Sequence, residues 1–329
     1  MTSGERRGEI DGEKSASEQS ERQVVAATQA ECPICAASDW QGRPGHLRDA
    51  PTVGVRECLR CGVVVPDRRD AVAINYAHGS MHGDESVDIA EWRRAGFDDD
   101  SRRARAILSK TGRVGAVLDV GCGSGGFISV LRESGREVVG VELDVKATEY
   151  CHAEGLPVFG SLSLIPEQLR ASIETVTMFH VLEHIPEPLA FLAEIVEAVP
   201  NADRFIVEVP CSEDPLLTLW GSVDFARFTY WSHHEHLHSQ RSLDLLLSGV
   251  FDTVHVERLQ RYGLSNHLGW LAQGKPGGQE WLPWLEGTPA DQDYRNRLIE
   301  QGFSDTLWAE ARRTRTGASP TGIVSRPRR

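Results

Sequence analysis

The sequence predicts an α/β protein in which a doubly wound, largely parallel sheet follows a small zinc-binding module. From about residue 101 onwards, short apolar segments typical of strands alternate with amphipathic segments typical of helices. A glycine-rich stretch, VLDVGCGSGG at residues 117–126, joins the first of these strands to the next helix. Two CxxC pairs precede the alternation.

The predicted elements of the sheet follow from apolar periodicity and from the signals at their ends. Residues 101–112 are amphipathic, residues 116–121 form a short apolar strand, and the helix over 125–135 begins at the glycine turn. Further strands are predicted over 137–144, 156–162, 174–185 and 203–210, with helices over 146–155 and 188–199. Ligands of such a sheet lie beyond the carboxyl ends of its strands, where Gly121, Glu142, Ser161 and His180 fall.

The remaining segments divide the chain further. Residues 1–25 are polar and free of aromatics, so we expect a disordered tail, and 314–329 suggest a second flexible tail. Between the tails we expect a zinc-ribbon domain over 26–80, a cofactor-binding domain over 81–262 and a C-terminal helical, aromatic extension over 263–313. The stretch DTLWAEARRTR predicts a final helix, and the aromatics near Trp281 and Trp284 indicate packing more than a ring-binding site.

Composition limits the classes of function. The 329 residues carry a formal net charge of −13, which disfavours a nucleic-acid substrate because phosphate binding needs a basic face. An apolar run of 18 residues is absent, and the N-terminal segment lacks the apolar centre of a signal peptide. We therefore expect a cytoplasmic protein that does not bind membranes.

The cysteine pattern predicts a structural zinc site. Cys32 and Cys35 form CPIC, and Cys58 and Cys61 form CLRC after 22 intervening residues. Two such pairs supply four thiolates for a tetrahedral zinc, which leaves no open coordination position for catalysis. The alternatives are a redox pair or a chance set of buried cysteines.

The glycine-rich stretch fits two nucleotide-binding patterns. Gly121, Gly123 and Gly126 give the GxGxxG of dinucleotide folds, with Glu142 placed 21 residues after Gly121. Read instead from Asp119, the stretch is the DxGxGxG of S-adenosylmethionine (SAM) sites. A carboxylate at the end of the strand would repel a pyrophosphate but attracts the ammonium and sulfonium of SAM, so Asp119 favours SAM.

Four stretches and the two CxxC pairs resemble the zinc-ribbon class I SAM methyltransferases, a group that includes the NDP-sugar C-methyltransferases. The stretches are VLDVGCGSGG, VVGVELD, FHVLEHIPEP and HHEHLHSQRSLDLLL. The resemblance covers roughly residues 30–255 and implies a Rossmann-like class I methyltransferase sheet with an N-terminal zinc ribbon. Its motifs identify the cofactor and not the acceptor.

The resemblance also implies which residues hold the cofactor. The backbone around Gly121, Gly123 and Gly125 would hold the methionine end of SAM, and the stretch around Ser161 would border the adenine. Glu142 would accept the ribose hydroxyls, which a carboxylate at a strand end can do with two hydrogen bonds.

Candidate catalytic residues lie after the later strands. Glu235 and His236 match a Glu-His pair that the sugar C-methyltransferases use to deprotonate the acceptor, and a histidine oriented by a carboxylate is a competent base. His180 and His184 flank the loop where the acceptor meets the methyl group, although LEHI is alternatively a structural turn. Tyr76 resembles a substrate-side tyrosine of the same family, and a packing role is the alternative.

These observations predict a SAM-dependent methyltransferase for a small-molecule acceptor that contains a sugar: a sugar nucleotide, a glycan precursor or a glycosylated natural product. His233 and His234 replace a tyrosine of the sugar C-methyltransferases, and only 78 residues follow Phe251, which favours oxygen over carbon as the methylated atom. Alternatives are RNA methylation guided by the zinc ribbon, a non-catalytic SAM-binding module and, more remotely, a dehydrogenase.

Overall fold

The computed structural model of the chain describes residues 31–68, 88–109 and 115–314. The expected tail over 1–25 and Tyr76 lie outside the described residues, as does the expected tail over 314–329 apart from Thr314. Among the described residues, no helix combines the length and the apolar character needed to cross a bilayer.

The N-terminal module is a small antiparallel sheet beside the cysteine knuckles. Its strands are β1 (Trp40–His46), β2 (Gly54–Cys58) and β3 (Val64–Pro66), in the order β1-β2-β3. The four cysteines and their apolar neighbours Val63 and Val65 form a small buried cluster. Apolar packing and the cysteine site together therefore hold a module too small for a large core.

The main body is a seven-stranded sheet with the order β6-β5-β4-β7-β8-β10-β9 in the described chain. Pairing is parallel from β6 to β8, and β10 pairs antiparallel with both of its neighbours. The strands are β4 (Ala116–Val120), β5 (Val138–Val141), β6 (Val158–Phe159), β7 (Ile173–Phe179), β8 (Arg204–Pro210), β9 (Thr253–Leu259) and β10 (Thr306–Arg312). This is the Rossmann-like α/β sheet that the strand-helix alternation predicts.

Helices cover both faces of the sheet and fill its edges. They are α1 (Ile89–Ser109), α2 (Gly126–Glu133), α3 (Val145–Ala153), α4 (Glu167–Ser172), α5 (Pro188–Ala198), α6 (Pro215–Thr218), α7 (Val223–Thr229), α8 (Gln240–Ser248), α9 (Leu264–Gln273), α10 (Gly278–Trp281) and α11 (Pro289–Glu300). Single 3-10 turns occur at Leu162–Leu164, Leu182–His184 and Pro283–Leu285. One buried core lies between the sheet and α1 and α2, and the other between the sheet and α5 and α8.

The final element corrects a sequence prediction. DTLWAEARRTR is not a helix, because residues Thr306–Arg312 form β10 between β8 and β9. Leu, Ala, Glu and Arg all favour helices, but the segment is buried on both faces in the middle of a sheet. Leu307 and Ala309 join one core while Trp308 joins the other. Tertiary packing therefore overrides the local helix propensity.

The N-terminal module packs directly on the main body. Val64 and Leu237 form an antiparallel bridge, with both backbone hydrogen bonds made at 2.8–2.9 Å. Arg43 donates to the Ser212 carbonyl at 2.6 Å. A shared apolar cluster joins the two parts and includes Leu47, Val55, Ala226 and Tyr230. The module is thus part of one continuous packing unit with the loops after β8.

Trp308 tests the placement of β10. The Trp308 ring is 5% exposed and stacks on Phe179 with ring centroids 5.8 Å apart. We expect Trp308→Ala to lower the free energy of unfolding by about 3–5 kcal/mol, because it removes a large buried ring and leaves a cavity. Urea unfolding followed by circular dichroism measures the change.

Trp284 provides the matched control, since its side chain is 69% exposed in the same C-terminal region. Trp284→Ala should change the free energy of unfolding by less than about 0.5 kcal/mol. Equal losses for the two variants would contradict the buried central position of β10.

Candidate active site

The glycine turn between β4 and α2 lies where it can hold a ligand. Gly121, Gly123 and Gly125 have φ values of +70°, +53° and +72°, which L side chains rarely adopt. A Cβ on Gly121 would lie 2.6 Å from Val181, and one on Gly123 would lie 2.7 Å from the Trp92 ring. Gly123 is therefore buried beneath α1, whereas Gly121, although close to the loop after β7, is exposed to solvent.

Asp119 is a buried carboxyl group at the end of β4. The hydroxyl of Thr177 donates to its Oδ1 at 2.7 Å, and the residue is 3% exposed. Burial, reinforced by the nearby Asp100 and Glu142, raises the pKa of Asp119 to about 7. Burial, with Asp99 adding to it, likewise raises the pKa of Asp100 to about 6.

Glu142 reaches the glycine turn from the end of β5. Its Oε2 accepts from the Gly123 backbone N–H and its Oε1 accepts from the Asp144 N–H, both at 2.8 Å. Ser161 follows the next strand, β6, and its hydroxyl lies 2.9 Å from that of Ser163. The predicted ribose and adenine residues thus occupy the ends of adjacent parallel strands at the same edge of the sheet.

The electrostatics of this edge suit a cation. Asp100, Asp119 and Glu142 lie near the turn, and their mutual repulsion contributes to the raised pKa of Asp119. A bound positive charge would relieve that repulsion, whereas a pyrophosphate would increase it. The residues therefore fit the methionine ammonium and sulfonium of SAM and do not fit a dinucleotide.

The loop after β7 brings His180 and Glu183 together. His180 has a left-handed φ of +57°, which costs a non-glycine residue about 1–2 kcal/mol. Its backbone N–H donates to the Glu208 carbonyl at 2.8 Å, and its Nδ1 lies 3.1 Å from Glu183 Oε1. Burial opposes ionisation, but His180 lowers the pKa of Glu183 to about 2. Glu183 is a site residue that sequence analysis missed, although it lies between the two predicted histidines.

Glu208, near the end of β8, forms ion pairs with arginines from distant parts of the chain. Its carboxylate is fully buried and accepts from Arg102 and Arg103 of α1, with closest contacts of 2.8 and 2.7 Å. Arg261, which follows β9, lies 3.8 Å from Glu208 and also pairs with Asp99. This group, called here the Glu208 cluster, was not found from the sequence because its members are far apart in the chain.

Arg261 determines which ring nitrogen of neutral His180 carries the proton. A guanidinium can only donate, so the 3.0 Å contact from Arg261 Nη1 to His180 Nε2 makes that nitrogen an acceptor. The ring proton then lies on Nδ1, facing Glu183. Although burial lowers it, hydrogen bonds to Glu183 and Glu208 raise the pKa of His180. On protonation, Nε2 has Glu208 Oε1 at 3.4 Å as an alternative partner.

A hydrogen bond fixes the tautomer of His184, and aromatic rings pack beside its imidazole. Its Nδ1 lies 2.9 Å from the carbonyl of His233, so Nδ1 carries the proton and donates it to that oxygen. The lone pair is therefore on Nε2. The rings of Trp231 and His234 lie 6.4 and 5.0 Å from that of His184. His184 is thus held as a ring that could accept a proton through Nε2.

The structure places the predicted Glu235–His236 pair in a different setting. Glu235 accepts two hydrogen bonds from Arg68 Nη1, at 2.7 and 3.0 Å. His236 is 2% exposed, and burial, with His238 adding to it, lowers the pKa of His236 to about 3. A base this reluctant to take a proton is poorly matched to neutral pH, so the catalytic role of the pair stays a prediction.

The four cysteines meet at one point. Their Sγ atoms all lie within 4.8 Å of one another, with Cys32 and Cys61 3.6 Å apart and Cys35 and Cys58 3.5 Å apart. A tetrahedral zinc with bonds of about 2.3 Å separates its sulfurs by about 3.8 Å, so the cluster fits a zinc ion. The second knuckle also contacts the body, because the Ser239 hydroxyl donates to the Cys61 carbonyl.

Comparison with known proteins identifies the sheet. Residues 90–250 match a family model described as a methyltransferase domain. A ubiquinone biosynthesis O-methyltransferase from Paracidovorax citrulli is 32% identical over 90 residues, which cover 25% of this chain and 36% of that protein. One from Hahella chejuensis is 31% identical over 97 residues, covering 27% and 41%. The chain thus spans well under half the length of these curated relatives.

Solved structures show a similar outline at low sequence identity. A SAM-dependent methyltransferase from Archaeoglobus fulgidus has a TM-score of 0.46 at 18% identity, covering 68% of this chain and 97% of that one. A plantazolicin methyltransferase in complex with a substrate analogue and SAH has a TM-score of 0.43 at 14% identity, covering 68% and 89%. Independently of these structures, the family match over residues 90–250 and the sheet topology show that the chain contains a methyltransferase domain with a Rossmann-like fold.

The cysteine site predicts a selective effect of zinc removal. We expect a chelator, or Cys58→Ser, to unfold residues 31–68 and loosen the loop around Ser239, because a closed thiolate site contributes its binding energy to folding. The dissociation constant of S-adenosylhomocysteine should change by less than about threefold, because the glycine turn packs in the main body, in the core beside α1 and α2, and not in the cysteine cluster. Limited proteolysis and calorimetric titration measure the two effects.

Cys211→Ser is the control for that experiment, because Cys211 is a buried thiol outside the cluster. It should retain one zinc per chain in metal analysis. Purified protein without zinc, or loss of S-adenosylhomocysteine binding on chelation, would refute the assignment.

Asp119 predicts a pH dependence of SAM binding. With a pKa of about 7 in the free protein, Asp119 is mostly protonated at pH 6 and ionised at pH 8. Because only the carboxylate attracts the cationic ligand, affinity should rise about 10-fold from pH 6 to pH 8. Asp119→Asn should flatten this rise, as measured by titration calorimetry, and Asp244→Asn on the exposed face of α8 should leave it intact. An equally steep profile in Asp119→Asn would disprove the role.

Proposed function

We propose that the methyltransferase domain is an active enzyme that methylates an oxygen atom of a small, sugar-containing acceptor. The observation that carries this proposal is the contact between two loops at the ligand edge of the sheet, where Val181 lies against Gly121. One loop is the glycine turn, which with Asp100, Asp119 and Glu142 forms a group called here the acidic cradle, and its negative charge suits SAM. The other carries His184 in a tautomer that leaves Nε2 able to accept a proton.

The cradle residues have separate tasks in this proposal. Asp119 and Asp100 provide negative charge for the cationic end of SAM, the glycine backbone allows close approach, and Glu142 turns its carboxylate to the ribose. When bound, SAM supplies a methyl group on a sulfonium. The ring of Trp92 lies over the buried Gly123, and Gly121, beside Val181, stays exposed to solvent.

His184 is the proposed base of the reaction. An acceptor hydroxyl becomes a better nucleophile as it loses its proton, and a histidine takes that proton near neutral pH. The hydrogen bond to the His233 carbonyl orients the ring, and Trp231 packs against it. His180 is a positioning residue, because its Nε2 is occupied by Arg261 and its Nδ1 by Glu183.

The acceptor class rests on two supports. Resemblance to the sugar-modifying methyltransferases favours a sugar nucleotide, a glycan precursor or a glycosylated natural product. The curated relatives are named O-methyltransferases, which favours oxygen over carbon. The net charge of −13 disfavours RNA as the acceptor.

Methyl-deuterated SAM tests the function directly. Zinc-loaded protein is incubated with a panel of nucleotide sugars and glycosides, and mass spectrometry locates the label. A label on a sugar oxygen is the expected result, and a label on carbon would correct the atom. Transfer to RNA alone, or SAM binding without transfer to any acceptor, would overturn the proposal.

His184→Asn tests the base. Asparagine can still donate to the His233 carbonyl but cannot take a proton, so kcat should fall about 100- to 10,000-fold. The dissociation constant of S-adenosylhomocysteine should stay within about twofold, because the cradle is untouched. His255→Ala is the control, since that histidine is exposed on β9. A normal kcat in His184→Asn would return the role of base to His236.

A further inference from the structure

A groove lies where the zinc-binding module meets the helices after β8. One wall is the end of β1 and the turn that follows it, and the other is formed by α6 and α7. Its volume is about 370 Å³, which is within the range of small-molecule sites. Tight packing maintains the junction, because a Cβ on Gly45 would lie 2.7 Å from the Tyr230 ring.

The charged side chains of this groove are all basic. His46, Arg48 and Arg227 line it, and none of the described residues that line it carries a carboxylate. The rest of the wall is largely apolar and includes Leu47, Leu217 and Val223. In a chain with a net charge of −13, a groove whose charged lining residues are two arginines is a feature that favours an anionic ligand.

Among the described residues, neither arginine forms an ion pair with a carboxylate. Arg48 donates to the Phe228 carbonyl at 3.3 Å and lies over the Trp231 ring at 4.5 Å, and neither contact cancels its charge. Across the described chain, Arg227 makes no ion pair and is exposed to solvent. Two guanidinium groups with free donors are well suited to phosphate oxygens.

The groove connects with the proposed acceptor site. Trp231 has Arg48 on its ring face and lies edge to face with His184, at a centroid distance of 6.4 Å. Asp49, next to Arg48, accepts from the Ser232 backbone N–H at 3.0 Å. The groove and the proposed base are therefore joined through one short loop.

We propose that this groove binds the phosphate-bearing end of the acceptor, with Arg48 and Arg227 as the phosphate contacts and the apolar wall holding the adjoining organic group. The proposal rests on the proposed function and gives it a substrate class, a phosphorylated small molecule. It also gives the zinc-binding module a task, because that module supplies one wall of the groove.

Calorimetric titration of the zinc-loaded full chain tests this inference. The probes are uridine diphosphate, inorganic pyrophosphate, uridine and a short RNA, each with S-adenosylhomocysteine present. We expect both phosphate compounds to bind, uridine to bind at least 10-fold more weakly than uridine diphosphate, and affinity to fall as salt increases.

Variants identify the groove as the site. Arg227→Ala should weaken uridine diphosphate binding about 10-fold, Arg227→Lys should restore part of the loss, and Arg48→Ala should act in the same direction. Arg241→Ala, an exposed arginine on α8 away from the groove, should have no effect. Since Arg227 is exposed and makes no ion pair in the described chain, its variants should fold normally.

The outcomes separate this inference from the proposed function. If S-adenosylhomocysteine binds but neither phosphate compound does, or if Arg241→Ala weakens binding as much as Arg227→Ala, the groove inference fails and the methyltransferase proposal stands. Preference for the RNA over uridine diphosphate would also overturn it. Failure of the wild-type chain to bind S-adenosylhomocysteine would defeat the proposed function itself.

Discussion

The fully buried carboxylate of Glu208 is the constraint on which the arrangement of the active site depends. Removing a carboxylate from water costs several kcal/mol unless cations and hydrogen-bond donors replace the water. Arg102 and Arg103 meet this need from α1, and Arg261 approaches from the segment after β9. Burial alone would raise the pKa of Glu208, but His180, Arg103 and Arg261 hold it well below its usual value. Three segments distant in sequence are therefore joined at one strand end.

The Glu208 cluster and the acidic cradle differ in how their charges are balanced. In the Glu208 cluster, carboxylates and guanidinium groups pair with one another, so the cluster can stay closed without a ligand. In the cradle, the one hydrogen-bond donor to the Asp119 side chain among the described residues is the neutral Thr177 hydroxyl, and burial, with Asp100 and Glu142 adding to it, raises the pKa of Asp119. The Glu208 cluster holds α1 over the glycine turn. The acidic cradle below α1 has an excess of negative charge, which a cationic ligand would balance.

The sequence was sufficient for features whose signals are local. The strands around the glycine turn and the four-cysteine cluster both depend on short spacings, whereas the role of Asp119 in cofactor choice stays a prediction. β10 was assigned wrongly, because a helix-favouring composition carries no information about the two strands that pair with its edges, for example at Ala309 and Ala311. Glu208 was overlooked because DRFIVEVP shows only an apolar strand, and its partners come from residues about 50 and 100 positions away.

The matched methyltransferase region ends at residue 250 and begins at residue 90, so the zinc-binding module and the segments that carry Arg261 and β10 lie outside it. Both additions act on loops at the carboxyl edge of the sheet. Arg261 donates to His180 on one side, and the module contacts Ser212, Ser232 and Leu237 on the other. The matched region contains the glycine turn together with Asp119 and Glu142, the residues proposed to bind SAM. The elements outside the matched region contact the loops that carry the proposed acceptor site, so acceptor choice is expected to depend on them.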